Sequence, residues 1–187
     1  MRSILLCLLL VALCSPLSVA LAEEGKYFTA AGAGFLFYTA DAKEKTDLDY
    51  AADFEVSFGK LYDNHFVAEA VAHYIHDGHA GDDIRIYTIS LALMRMFPLS
   101  QRSKCFVGAG FVSAFFSKYF GHIYGDPKRD SDYRAGVNLM VGLQFDMGQS
   151  LFLRNQLSYR LMDQFEFEGG TINASGISTI VKFGYKF

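Results

Sequence analysis

The sequence predicts an all-β fold: an eight-stranded antiparallel up-and-down barrel that crosses a membrane. Three observations carry the prediction. Segment after segment alternates apolar residues with polar or small ones, the period of a strand lying between two environments. Apart from an N-terminal signal, no apolar run approaches the roughly 20 residues that a transmembrane helix needs. Short turns and longer polar loops alternate along the chain, the asymmetry of a membrane barrel. An exported chain this aromatic, with 18 Phe, 11 Tyr and no Trp, enters a bilayer only as a closed barrel, because open sheet edges are not tolerated in lipid.

The N-terminus reads as a secretory signal spanning residues 1–22. Arg2 is its positive region, Ile4 to Ala12 its apolar run, and Ala20-Leu21-Ala22 supplies small residues before a cleavage at Glu23. A membrane anchor is disfavoured because Cys14, Ser15 and Pro16 break the run. A lipoprotein is disfavoured because Leu13 precedes Cys14 where a small residue is needed. The remainder, 23–187, is one domain. Loss of Arg2 takes the net charge from −3 to −4, which gives no reason to expect nucleic acid. Cys105 is then the lone cysteine, so no intrachain disulfide forms, and it reads as a small inert hydrophobe.

Taken in order, the first segment, Tyr27 to Tyr38, is rich in Ala and Gly, and its inward parity is not distinguishable from its outward one. A charged loop with Lys43, Glu44 and Lys45 follows. In the second segment Leu48, Tyr50, Ala52, Phe54, Val56 and Phe58 alternate with Asp49, Ala51, Asp53, Glu55, Ser57 and Gly59. A helix would scatter those acids around its circumference. Leu61-Tyr62-Asp63-Asn64 is a tight turn. The third segment, Phe66 to Tyr74, sets Phe66 and three alanines against Glu69 and His73.

A turn-forming loop, His76 to Asp83, precedes the fourth segment, Ile84 to Phe97, with Tyr87, Ile89, Leu91 and Leu93 outward. Pro98 stops it, and the fifth segment runs from Cys105 to Phe116. The longest loop, Ser117 to Asp130, leads into the sixth, where Tyr133, Ala135, Val137, Leu139, Val141, Leu143 and Phe145 face out and Asp132, Arg134, Gly136, Asn138, Gly142, Gln144 and Asp146 face in. Met147-Gly148-Gln149-Ser150 is a turn. The seventh segment puts Arg154, Gln156, Ser158 and Arg160 inward, with Asn155 as a blemish on the apolar face. Met162 to Ala174 is read as a loop. The eighth segment, Ile177 to Phe187, has an aromatic outward face and a small or cationic inward one.

These features resemble the small eight-stranded outer-membrane barrels of Gram-negative bacteria, the OmpA-like and OmpX-like group. The resemblance is carried by the signal, the eight alternating segments and the terminal Phe183-x-Tyr185-x-Phe187. It is carried as well by Phe58 to Phe66 followed by Ile86 to Leu93 and Phe97-Pro98, and by Phe106-Val-Gly-Ala-Gly-Phe111. It implies residence in the cell outer membrane and contact with its lipid and lipopolysaccharide. It also implies that Phe183, Tyr185 and Phe187 form the signal read by the barrel-assembly machinery.

Only the inward residues and the loops can do chemistry. The parity places Asp49, Asp53, Glu55, Glu69 and Asp146 inside with Arg134, Arg154, Arg160, Lys182 and Lys186. In so narrow a barrel, balanced charges pair and fill the lumen. Glu55, Glu69, Arg154 and Lys182 lie nearest mid-strand and are expected at the centre of an interior ion-pair network. The competing reading is a charged path for small solutes.

The sequence offers three further chemistries. His73, His76 and His79 beside Asp77, Asp82 and Asp83 offer zinc-type ligands, but a strand and a glycine-rich loop do not fix their geometry, so no metal is expected. A lipid A-modifying enzyme of the deacylase family would carry His-x-Ser-Asn on a late strand. Here Leu157 to Met162 holds no histidine, and Ser158, Asp163 and Glu166 lack a base partner. Ser113 and His122 are the remaining pair, on an unfixed loop. The aromatic residues Tyr119, Phe120, Tyr124, Phe165 and Phe167 serve either an extracellular partner or an upper girdle. The expectation is a monomer without catalytic site or cofactor, in a structural or surface-interaction role, with a narrow channel as the alternative.

Overall fold

In the computed structural model, residues 27–38, 50–62, 65–77, 83–119, 129–167, 170–173 and 175–187 are described. The signal region, the Asp63-Asn64 turn tip, Asp49, His79, Asp82 and most of the longest loop lie outside them. The strands are β1 (Tyr27–Tyr38), β2 (Tyr50–Tyr62), β3 (Phe66–Asp77), β4 (Asp83–Pro98), β5 (Ser103–Tyr119), β6 (Arg129–Asp146), β7 (Leu151–Met162), β8 (Gln164–Phe167), β9 (Gly170–Asn173) and β10 (Gly176–Lys186). Eight of them close into an antiparallel barrel in the order β1-β10-β7-β6-β5-β4-β3-β2.

The alternation of the sequence becomes an alternation of environment. Along β7 every second residue is buried in the lumen and its neighbours are exposed on the outer wall. The outward residues Ile89, Leu91, Leu93, Phe111, Leu139 and Phe183 are all exposed, an arrangement that is favourable only where the surrounding solvent is hydrocarbon. The first strand, undecided by composition, has Phe28, Ala30 and Leu36 buried inside and Phe35 and Phe37 outside.

Pairing around the barrel is staggered. Phe28 pairs with Gly59, Gly59 with Glu69, Glu69 with Ala92, and Ala92 with Gly110. Gly110 pairs with Asn138, Asn138 with Arg160, Arg160 with Gly176, and Gly176 with Tyr38. One circuit from Phe28 therefore returns to β1 ten residues on, at Tyr38. Such a stagger on eight strands tilts them by roughly 40° and leaves an interior that side chains can fill.

Several elements differ from the sequence reading, among them β2, which keeps Leu61 and Tyr62 paired with Val67 and Phe66, and β3, which pairs on through His76 and Asp77. The Met162–Ala174 stretch contains a two-stranded hairpin, with Gln164 paired to Asn173 and Phe167 to Gly170. Four-residue strands are too short for their period to stand out from a loop. β5 and β6 also continue pairing as far as Tyr119↔Arg129, past the expected strand ends at Phe116 and Asp132. Beyond the bilayer both faces meet water, so apolar alternation is no longer required and its loss does not mark the end of pairing. The expected turn at Met147–Ser150 is present, and Gly148 sits there at φ 104°, a left-handed conformation that favours glycine.

The lumen is layered. At the loop end, Leu36, Ile75, Ile86, Val112, Phe116 and Met162 form an apolar plug. At the turn end, Phe28, Met94, Met96, Phe106, Met140 and Phe152 form a second. Charged side chains occupy the space between.

Candidate functional site

The middle layer is an ionic belt built from four strands. Glu69 on β3 and Arg154 on β7 stand on opposite walls, four strands apart in either direction, yet Arg154 Nη1 donates to Glu69 Oε2 at 2.8 Å. Their contact therefore spans the lumen. Lys182 on β10 contacts Glu55 on β2 and lies 3.4 Å from Glu69 Oε1. The four residues expected at the centre of the interior network are thus brought together, each with a side chain no more than 1% exposed.

Arg154 is held on its other sides too. Its Nε and Nη2 donate to Gln144 Oε1 at 3.2 and 2.9 Å. Its guanidinium carbon lies 5.2 Å from the Phe28 ring, 5.3 Å from Phe106 and 5.2 Å from Phe152. Those three rings fit because each lies over a glycine of the neighbouring strand: Phe28 over Gly59, Phe106 over Gly142, Phe152 over Gly184. A Cβ at any of the three glycines would overlap the ring.

A second cluster joins the first on the loop side. Asp53 Oδ1 hydrogen-bonds His73 Nδ1 at 3.0 Å, Asp53 Oδ2 accepts from the Ser178 hydroxyl at 2.8 Å, and Arg160 Nη2 lies 3.6 Å from the same oxygen. His73 Nδ1 is also 3.8 Å from Glu55 Oε2, which links the two clusters. The belt thus opposes Asp53, Glu55 and Glu69 with Arg154, Arg160 and Lys182. Unpaired, any of these ions would be costly to hold away from water; opposed, each offsets part of its partner's cost. At the turn end Asp146 accepts from Lys186 at 2.7 Å and from Gln144 Nε2 at 2.8 Å, and Lys104 lies 3.2 Å away. Gln144 therefore connects the belt to this rim.

Of the other charges expected inside, Arg134 is set apart. It pairs with Asp132 at 2.8 Å and donates to the Gln164 carbonyl at 2.7 Å, partly exposed at the loop-end mouth. His73 and His76 do not converge. His73 faces the lumen, whereas His76, three residues on, stacks on outward Tyr74 at 6.1 Å. Among the described residues no group of three His, Cys, Asp or Glu is placed to hold a metal ion. Ser158 is buried in the lumen wall, and the Ser113 hydroxyl hydrogen-bonds Tyr133. The side chains of Tyr119, Phe120, Tyr124, Phe165 and Phe167 lie outside the described residues, as does His122.

Three participants escape a reading by parity alone: the Gln144 bridge, the Ser178–Asp53 bond and the three-ring cage. Gln144 and Ser178 are legible as inward residues, but their partners depend on register and stagger. The glycines opposite Phe28, Phe106 and Phe152 are the one sequence signal for the cage, and it too needs the pairing to be known.

Phe183 and Tyr185 project outward from β10 and are exposed. The Phe187 ring packs 6.4 Å from Tyr27, 6.3 Å from Phe58 and 6.4 Å from Tyr185. Its backbone exchanges hydrogen bonds with Tyr27 at 2.9 and 3.2 Å. At this mouth a cavity of ≈ 20 Å³ is lined by residues including Phe28, Leu61, Arg154 and Lys186, space on the order of one water molecule.

Comparison with known proteins agrees with this architecture. The model of the outer membrane protein beta-barrel domain family matches residues 5–187. No curated protein sequence matches. Among solved structures, Neisserial surface protein A is 14% identical with a TM-score of 0.67, over 88% of this chain and 98% of its own. The N-terminal β-barrel domain of Pseudomonas aeruginosa OprF is 14% identical with a TM-score of 0.60, over 88% and 100%. Yersinia pestis Ail, the attachment invasion locus protein, is 12% identical with a TM-score of 0.57, again over 88% and 100%. At these identities the likeness is one of fold.

Proposed function

This chain belongs to the outer membrane protein β-barrel domain family, and on that premise we propose that it is a closed-lumen barrel with a structural or surface-interaction role. It resides in the outer membrane. One observation carries the proposal: the Glu69–Arg154 contact crosses the lumen between opposite walls, with apolar layers above and below it. A hydrated solute would have to part a buried ion pair and then pass two apolar constrictions. Glu55, Glu69, Arg154 and Lys182 are, in this reading, the structural network that holds the barrel shut.

The same reading gives Phe183, Tyr185 and Phe187 the role of assembly signal. Supporting it, Phe183 and Tyr185 lie on the outward face of the closing strand at the turn end and Phe187 directly follows that strand. The protein acts without a catalytic site or cofactor and as a monomer, exposing its loops to the cell exterior. Liposome swelling tests the lumen: proteoliposomes should exclude small sugars and amino acids like protein-free vesicles, and solute-dependent swelling would favour the channel. An altered lipid A mass on expression would favour the enzyme.

A further inference from the structure

One polar side chain stands where the outer wall crosses the middle of the bilayer. Asn155 projects outward from β7 and is exposed. Its neighbours on that wall are Leu153 and Leu157 along the strand, Val181 on β10 and Leu143 on β6. All four are apolar and exposed. Along β7, Asn155 lies midway between Leu151, which pairs with Tyr185 at the turn end, and Tyr159 toward the loop end. On strands tilted by roughly 40°, each of those intervals is about 10 Å of depth. Asn155 is therefore near the centre of an apolar band about 25 Å tall.

An amide at that depth carries two N–H donors and a carbonyl acceptor, with no water to bond them. Two other polar side chains on the outer wall are satisfied within the chain. The Thr29 hydroxyl donates to the Ser57 carbonyl at 3.1 Å, and the Ser113 hydroxyl bonds Tyr133. The side chains beside Asn155 offer it no such group. A partner from outside has to present a polar group at the same depth, and acyl chains carry none there. A second copy does. All copies cross the membrane in one orientation, so a two-fold axis along the bilayer normal sets each residue of the wall opposite its equivalent at equal depth. The amide is also self-complementary, the N–H of one copy meeting the carbonyl of the other. Thr179 on β10, diagonal to Asn155, adds a hydroxyl to the same patch. Barrel walls are convex and meet along a narrow strip, here with the amide at its centre and Leu143, Leu157 and Val181 around it.

We infer that the barrel pairs with a second copy in the plane of the membrane, through the outer wall of β6, β7 and β10, with the Asn155 amides of the two copies hydrogen-bonded at the two-fold axis. Lipid-facing surfaces gain little hydrophobic energy by associating, because acyl chains are as apolar as leucine. The amide and close packing therefore supply the specificity. The inference goes beyond the function proposed above. There the monomer is the unit that closes its own lumen; here two such closed units pair, and neither lumen is altered.

Two measurements test it. In outer membranes holding Asn155→Cys/Cys105→Ser, oxidation by copper-phenanthroline should give a disulfide-linked dimer. Ala70→Cys/Cys105→Ser puts the thiol on β3, the opposite wall, and should give only the background of random collision. Equal yields from the two variants, or a cross-link to a different protein in place of a second copy, would overturn the inference. The amide is weighed by energy transfer. Barrels labelled with donor or acceptor dye through Gln101→Cys/Cys105→Ser, on an exposed turn, are reconstituted together in phospholipid vesicles. Transfer should exceed that of random proximity, and adding Asn155→Leu should lower the association constant roughly tenfold. Transfer at the random level, or transfer unchanged by Asn155→Leu, would overturn the pairing. Heat-modified gel mobility verifies that each variant is folded; Asn155→Leu, which only removes a polar group from the lipid face, should fold at least as well as wild type.

Discussion

Asp53, Glu55, Glu69, Arg154 and Lys182 are each held by more than one neighbour in the belt, so removing one partner differs sharply from removing two. Glu69→Gln strips Arg154 and Lys182 of a shared carboxylate and should cost about 3–5 kcal/mol, the usual penalty for leaving a buried charge unopposed. The double variant Glu69→Gln/Arg154→Met should cost less than the sum of the single losses. Urea unfolding of the barrel in detergent or lipid measures both, and additive losses would mean the two side chains do not interact. Gly184→Val should be similarly disruptive, because its side chain would displace Phe152 from the cage around Arg154; an unaltered midpoint would contradict the packing. At this scale the sequence reveals which residues face inward, since that depends on parity alone. It does not reveal that Asp53 meets His73 and Ser178, because those contacts depend on register between strands 20 and 125 residues apart.

A strand in this barrel has a solvent on each side, and substitutions should follow depth and face. Leu91→Arg places a cation on the outward face of β4 and should destabilise by about 2–4 kcal/mol, the usual cost near the midplane. The inward neighbour Ser90 faces a lumen wall of mixed polarity, and Ser90→Thr should cost far less. Comparing their unfolding free energies in lipid checks the assignment, and equal costs would mean that β4 does not separate two environments. Membrane-crossing strands were legible for the reason they are stable: lipid on one side and a polar lumen on the other impose a period of two. The β8–β9 hairpin and the outer ends of β5 and β6 were not, because they lie where that constraint ends. β10 shows both cases. Its aromatic outward face was plain from Phe183 and Tyr185, while its pairing with β1 and β7 emerges only on closure. Deleting Phe187 removes the ring that joins Tyr27, Phe58 and Tyr185. It should reduce the membrane-inserted fraction on expression; undiminished insertion would contradict the assembly role.

For the molecule as a whole, closure has two meanings. The sheet closes on itself through β1 and β10, which removes every edge from lipid. In the proposed function the lumen closes as well, through side chains, with an ionic belt held between two apolar layers. The first was readable from the even set of alternating segments. The second was readable as charge balance, but not as a bar across the lumen, because opposition of β3 and β7 appears only once the strand order and stagger are known. In the function proposed above, this bar shuts the barrel. Single-channel recording of the purified protein in planar bilayers is the decisive measurement. Wild type should give a baseline without steps of porin size, whereas stable openings of that size would mean that the lumen conducts.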